Sequence, residues 1–245
     1  MEMISSLDNN QVKYWNSLNQ KKIRDEEGLF LVEGDHLVLE ADKCGLIQEL
    51  IVNVDISVDY KAPINLVSKA ILDKISSMPS SPDVIAVCRK IEESAYGDKL
   101  VLIDALQDPG NLGTIIRSAV AFNIDTIVLG NNTVDIYNEK TIRASEGMLF
   151  HINIIKRDLN TFIDELHTNK YMVYGTDVND GILLSDIKST NKYAFIVGNE
   201  GAGVNPELLN KCDSNIYIPM NELAESLNVG VATGIILYAL GEVHE

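Results

Sequence analysis

Short apolar runs alternate with amphipathic stretches along the whole chain. In the first 90 residues, Asn10–Asn19 looks helical and Gly28–Val32 reads as a short strand. Asp35 is placed to cap a helix that runs to Cys44 and stops before Gly45. Glu49–Val52 is an apolar strand, Ser68 can cap a helix through Ile75, and Val84–Val87 is a strand of the buried type. The segment Met78-Pro79-Ser80-Ser81-Pro82 is a turn or loop. A polar stretch, Lys90–Asp98, then interrupts the pattern. Beyond it, strands at Leu100–Ile103, Thr126–Leu129, Ile152–Ile155, Tyr171–Tyr174, Ala194–Val197 and Ile216–Ile218 alternate with helices. Those helices are expected over Asn111–Phe122, Leu159–Thr168 and Ser226–Leu240. Continuous apolar strands between helices predict an α/β fold with a mostly parallel sheet covered on both faces. The pattern divides the chain into a small α/β domain at 1–90, a linker at 91–97 and a larger domain at 98–245.

In sheets of this kind ligands bind beyond the carboxyl ends of the strands, which directs attention to the loops after Ile103, Val197 and Ile218. The first loop, DALQDPGNLG (104–113), opens a helix that Asn111 can cap. Arg117 follows within an otherwise apolar helix start, where it needs either a carboxylate partner or an anionic ligand. The second loop, Gly198-Asn199-Glu200-Gly201-Ala202-Gly203, lets a ligand approach the backbone closely. Its spacing is GxxGxG, so the dinucleotide-binding fingerprint GxGxxG is not met. Glu200 would repel a pyrophosphate, and could partner Arg117 or accept from a hydroxyl. The third loop, IPMNELAESLNVGV (218–231), leads into a helix started by Ser226 or Asn228, whose free N–H groups could hold a carboxylate or a base edge.

Charge narrows the picture. The net charge is −16, and both halves are acidic: 10 basic against 16 acidic residues up to Gly97, and 10 against 20 beyond it. Taken alone, this argues against holding nucleic acid by bulk electrostatics. A local patch remains, because Lys13, Lys21, Lys22 and Arg24 lie within 11–24 with no acid among them. No membrane span is expected, since the longest weakly polar stretch is Val229–Leu240 and a span needs about 20 apolar residues. Cys44, Cys88 and Cys212 have no zinc or redox spacing and fit a reducing cytoplasm. His36, His151, His167 and His244 form no cluster, and no metal is expected.

The three loops together carry more than each alone. DPGNLGTIIRSA, FIVGNEGAGV and IPMNELAESLNVGVA resemble, in order and spacing, the three motifs of the SpoU (TrmH) family of RNA 2′-O-ribose methyltransferases, within the SPOUT superfamily. The resemblance covers the whole second half, including VDIYNEKTIRASEGMLF (134–150). More weakly, EGDHLVLEA (33–41) and SSPDVIAV (80–87) resemble the family's L30e-like substrate-binding domain. The chain departs from the family pattern at Asn123, Glu139, Glu146, Asn221 and Glu222.

The resemblance implies a deep trefoil knot in the second half, an S-adenosylmethionine cofactor and a homodimer with the site near the subunit interface. It implies catalytic roles for Asn111, Arg117, Glu200, Ser226 and Asn228, with Glu200 and Asn111 holding Arg117. It implies that Gly198, Gly203, Ile218, Met220, Leu227 and Asn228 bind the cofactor. The amino-terminal domain would choose an RNA, ribosomal in preference to transfer RNA, through Lys13, Lys21, Lys22 and Arg24. Two other readings compete: a non-catalytic RNA-binding protein of the same fold, and a dinucleotide-dependent enzyme using the Gly198 loop.

Overall fold

A computed structural model describes residues 3–178, 181–187, 190–221 and 223–240, so Glu222 and His244 lie outside the described residues. In chain order the elements begin α1 (Asn10–Ser17), α2 (Lys21–Glu27), β1 (Leu29–Glu33), α3 (Asp35–Lys43), β2 (Ile47–Asn53), β3 (Ile64–Val67), α4 (Lys69–Ile75) and β4 (Val84–Arg89). They continue with β5 (Lys99–Ile103), α5 (Pro109–Ala121), β6 (Thr126–Leu129), α6 (Glu139–Ala144), β7 (Asn153–Lys156), α7 (Leu159–Thr168) and β8 (Met172–Thr176). The last are β9 (Ile182–Leu183), β10 (Tyr193–Val197), α8 (Pro206–Leu209), β11 (Ser214–Tyr217) and α9 (Val229–Leu240).

The chain forms two compact units. One comprises Met1–Glu92 together with Tyr137–Phe150; the other comprises Glu93–Ile136 and His151–Glu245. The first is built on a sheet of order β1-β4-β2-β3, antiparallel except for the β2–β3 pair. Val12, Trp15 and Leu18 of the α1 region pack with Ile71, Leu72 and Ile75 of α4 against Ile51, Ile85 and Val87 of the sheet. Gly34, with φ 94°, makes the turn into α3, so Asp35 is its first residue and not its cap. The segment 137–150 is held in this unit by aromatic contact: Phe30 lies 4.5 Å from the Tyr137 ring and 6.2 Å from Phe150.

The second unit carries a parallel sheet of order β7-β6-β5-β10-β8-β11-β9. Period-2 geometry divides its side chains between two faces. Leu100, Leu102, Val128, Val173, Ala194 and Ile196 pack under α7 and α8. The intervening Val101, Ile103, Ile127, Phe195 and Val197 are equally buried on the other face, which α5 and α9 cover. α5 and α9 pack closely along Thr114 and Ser118, which meet Gly230 and Gly234, and end on a Phe122–Tyr238 ring contact. The stretch read as a linker is tied down along this unit: Glu93 pairs with Arg157, and Tyr96 stacks edge-on with Phe162.

Candidate active site

The first loop differs from its expected form in one respect. Asp108, not Asn111, caps α5, its Oδ1 accepting from the Asn111 amide at 2.8 Å. Pro109 occupies the first turn, where a missing N–H costs nothing. Relieved of capping, the Asn111 side chain reaches outward. At the other end of α5, Asn123 takes φ 56°, a left-handed conformation that Asn adopts more readily than most side-chain-bearing residues, which accounts for Asn where the family pattern often has Gly.

The second loop is a tight hairpin turn. Asn199 and Gly203 exchange backbone hydrogen bonds at 3.0 and 2.9 Å, and the Asn199 carboxamide accepts from the amides of Gly201 and Ala202. A Cβ on Gly198 would lie 2.1 Å from the Gly203 carbonyl carbon, which restricts this position to glycine. Gly203 has φ 70°. No long helix follows, and this strand-to-hairpin geometry differs from the strand-to-helix turn that cradles a dinucleotide.

The third loop ends where Asn228 caps α9, its Oδ1 accepting from the amides of Gly230 and Val231 at 3.0 and 3.2 Å. The three loops are then joined by one polar chain. Glu200 accepts from the amides of Gln107 and Asp108 at 3.3 and 2.9 Å and from Asn111 Nδ2 at 3.1 Å. Asn111 Oδ1 in turn accepts from Asn228 Nδ2 at 2.9 Å. Burial pushes the Glu200 carboxyl up, but hydrogen bonds from the Asp108 amide, its own amide, Asn111 and the Gln107 amide outweigh it. The net effect holds the group below the usual carboxylate range.

Beside this chain lies a cavity of about 520 Å³ at the carboxyl ends of β8, β10 and β11. Gly198, Gly203, Ile218, Met220, Leu227 and Asn228, the residues expected to hold a cofactor, all line it, as do Glu200 and Ser226. Val197, Ile216, Val229 and Ile236 give it apolar walls. Among the described residues its charged groups are Asp177, Glu200 and Glu225, with no Lys, Arg or His. Such a lining favours a cationic amphipathic ligand and opposes a pyrophosphate. Thr176, Asp177 and Glu225 were not anticipated. The carboxyl-end rule would have found the first two, had it been applied to β8, which stands between β10 and β11.

Other expected site residues stand apart. Arg117 is exposed on α5, with no hydrogen bond or ion pair among the described residues and no share in the cavity lining. Six residues of helix separate it from Asn111, a rise of about 9 Å. Glu200 therefore holds Asn111 and the α5 start and does not hold Arg117. In the amino-terminal patch, Lys21 is exposed, Lys13 faces Asp8 at 3.7 Å and Lys22 faces Glu26 at 3.7 Å. Arg24 is a correction: it is 5% exposed, and its Nη1 donates to the carbonyls of Leu18 and Asn19 at 3.0 and 2.8 Å. It staples the turn between α1 and α2 and is not available to a phosphate.

Residues 98–238 match the model of the SpoU rRNA Methylase family. The chain belongs to that family. Residues 9–86 match a second model, the MRM3-like substrate binding domain. The chain is 42% identical to the 23S rRNA (guanosine(2553)-2′-O)-methyltransferase RlmP of Bacillus subtilis (strain 168), over 98% of this chain and 99% of the relative. Among solved structures it resembles an AdoMet-bound rRNA methyltransferase from Sinorhizobium meliloti, with a TM-score of 0.87, 29% identity, and coverage of 98% and 97% of the two chains. The SpoU methyltransferase AviRb from Streptomyces viridochromogenes, in complex with AdoMet, shares the fold. Its TM-score is 0.85 at 24% identity, covering 95% of this chain and 97% of that one. No described helix is long and apolar enough to cross a membrane.

Proposed function

We propose that this chain transfers a methyl group from S-adenosylmethionine to a ribose 2′-hydroxyl of 23S ribosomal RNA, in the cytoplasm and as a homodimer. The observation that carries this reading is the Glu200–Asn111–Asn228 chain beside a cavity whose charged groups, among the described residues, are all acidic. S-adenosylmethionine supplies a methyl group already activated on a cationic sulfonium, which suits that lining. The protein's task is to align the acceptor oxygen and assist loss of its proton.

Within this reading Gly198, Gly203, Ile218, Met220 and Leu227 hold the cofactor, largely through backbone groups and apolar contact. Asn111 and Asn228 share one hydrogen bond, which fixes the α5 and α9 starts relative to each other, and Glu200 locks the loop before α5. Ser226 Oγ has no partner among the described residues and is free to meet substrate or cofactor. Arg117, exposed and without a partner among the described residues, orients the ribose and its phosphate and stabilises negative charge developing on the oxygen. A guanidinium stays protonated in a solvated setting, so it does not itself take the proton. Lys13, Lys21 and Lys22 meet RNA phosphate. The homodimer draws support from Val231, Ile235 and Tyr238, which are 52%, 38% and 67% exposed and form one apolar stripe along α9. The trefoil knot belongs to the same reading.

The 42% identity to the Bacillus subtilis enzyme over nearly the whole chain makes the equivalent guanosine the proposed target. The test is calorimetric binding of S-adenosylhomocysteine, with NAD as control, followed by reverse-transcription mapping of that guanosine in 23S rRNA from cells lacking the gene. Saturable binding of the first ligand alone, and loss of the modification with the gene, is the expected result. Binding of NAD alone, or a modification that persists without the gene, overturns the proposal.

A further inference from the structure

The large sheet changes winding between β5 and β10, which are paired neighbours. The chain leaves β5 for α5 on one face and leaves β10 for α8 on the other. The crevice outside such a switch point is where open α/β sheets ordinarily hold a ligand. The cavity described above is not there: it lies at β8, β10 and β11. At the switch point itself is a second recess, of about 620 Å³, built from the loops after β5, β6, β7 and β10. The hairpin Asn199–Gly203 is a wall common to both, since Asn199, Ala202 and Gly203 line each of them.

The chemistry of the recess is specific. Among the described residues its charged lining groups are Asp104 and Asp158, with no Lys, Arg or His. Both carboxylates are already engaged: Asp104 accepts from the Asn205 amide, and Asp158 from the Thr161 amide and from Asn131 Nδ2. Lys211, which reaches the Asn160 carbonyl, is itself paired with Asp164. A phosphate is therefore disfavoured. Two side-chain amides, Asn132 and Asn160, line the recess with no hydrogen-bond partner among the described residues. Each presents a donor and an acceptor side by side, the pattern that matches the edge of a nucleobase, adenine above all. Ala202 and Pro206, both exposed, supply the apolar surface beside these amides, while Leu159 and Leu208 form its buried floor.

We infer that this recess is a second RNA subsite, which receives an unpaired, uncharged nucleobase next to the nucleotide undergoing reaction. The inference rests on the RNA substrate proposed above, but its geometry is independent of the cofactor cavity. The hairpin between the two recesses ties occupancy of one to the position of the other.

The test is an NMR titration of the full chain, saturated with S-adenosylhomocysteine so that adenosine cannot enter the first cavity, with adenosine as probe. Saturable shifts at the side-chain amides of Asn132 and Asn160 are expected. Adenosine 5′-monophosphate should bind more weakly than adenosine at low salt, because of the two carboxylates. Asn132→Ala and Asn160→Ala should each weaken adenosine by roughly threefold to tenfold and leave the affinity for S-adenosylhomocysteine unchanged. Absence of saturable shifts at those amides, tighter binding of the monophosphate, or variants without effect would overturn the subsite. Failure of S-adenosylhomocysteine to bind would count against the functional proposal alone, because shifts at Asn132 and Asn160 are read separately from shifts at Gly198–Gly203.

Discussion

Replacing Asn111 by Asp changes the active-site polar chain at one atom. The side chain keeps its shape, but the donor that faces Glu200 Oε1 at 3.1 Å becomes an acceptor with a negative charge. Two unit charges at that separation repel by ~1 kcal/mol in water and ~5 kcal/mol at an effective dielectric of 20. The pair is partly solvated, so a value of roughly 1–3 kcal/mol applies, with about 1 kcal/mol more for the lost hydrogen bond. The strain is relieved by moving the Gly198–Gly203 turn away from α5, and so appears as lost cofactor affinity. At pH 7.5, calorimetry should show S-adenosylhomocysteine binding weakened by roughly 30-fold or more. The pH dependence gives a second reading. Paired carboxylates raise one another's pKa, so in the Asp variant one group takes up a proton as pH falls toward the usual carboxylate range, and affinity recovers. In the unsubstituted protein Glu200 is held below that range. Its contribution is complete above the ordinary carboxylate pKa and is lost only as pH falls through the lowered value. Between about pH 7 and 5 the variant should therefore gain affinity as pH falls, while the parent stays level. The double variant Asn111→Asp with Glu200→Gln should recover part of the loss, because the Gln amide can donate to the new carboxylate. An Asn111→Asp protein that binds S-adenosylhomocysteine as tightly as the parent at neutral pH would refute the reasoning.

Three further outcomes are expected. Arg117→Ala should leave S-adenosylhomocysteine affinity unchanged, since the side chain does not line the cavity, and should abolish methyl transfer; substantial turnover would remove Arg117 from the mechanism. Gly198→Ala should lose ligand binding, because its Cβ would lie 2.1 Å from the Gly203 carbonyl carbon, whereas Gly201→Ala, with 3.7 Å to the nearest atom met, should bind normally; equal effects in a calorimeter would contradict the hairpin geometry. Arg24→Ala should lower Tm by several degrees and leave the salt slope of RNA binding unchanged, while Lys21→Ala should do the reverse; a reduced slope with Arg24→Ala would return that residue to the RNA surface.

The alternation of apolar strands and helices placed the expected strands of the large sheet within two residues, whereas α9 starts at Val229, three residues after the expected Ser226. α7 coincides with the expected Leu159–Thr168. Elements without that pattern escaped. α2 reads KKIRDEE, with one apolar residue, and is held by contacts distant in sequence or between helices: the Arg24 staple, Ile23 against the core, and the Asp25–Lys90 pair. β9 is two residues long, and α8 is a single turn capped by Asn205. α6 shows its reason for being only in space, where Tyr137 and Phe150 on either side of it meet Phe30. In the site, the glycine loop was legible because its constraints are local. The Glu200–Asn111–Asn228 chain was not, since its members are 89 and 117 residues apart and nothing local specifies which side chain meets which. The same difficulty misplaced Arg24: a run of cations shows charge density, but not which member the fold buries.

The central claim is methyl transfer to a ribose oxygen. Its most direct test is to incubate the purified chain with S-adenosylmethionine carrying a labelled methyl group and unmodified 23S rRNA, digest the RNA to nucleosides and identify the labelled product by mass spectrometry. The account predicts label in a single 2′-O-methylated nucleoside, guanosine at the proposed target, and none with Arg117→Ala. Label on a base, or no label in RNA from a protein that binds S-adenosylhomocysteine, would contradict it.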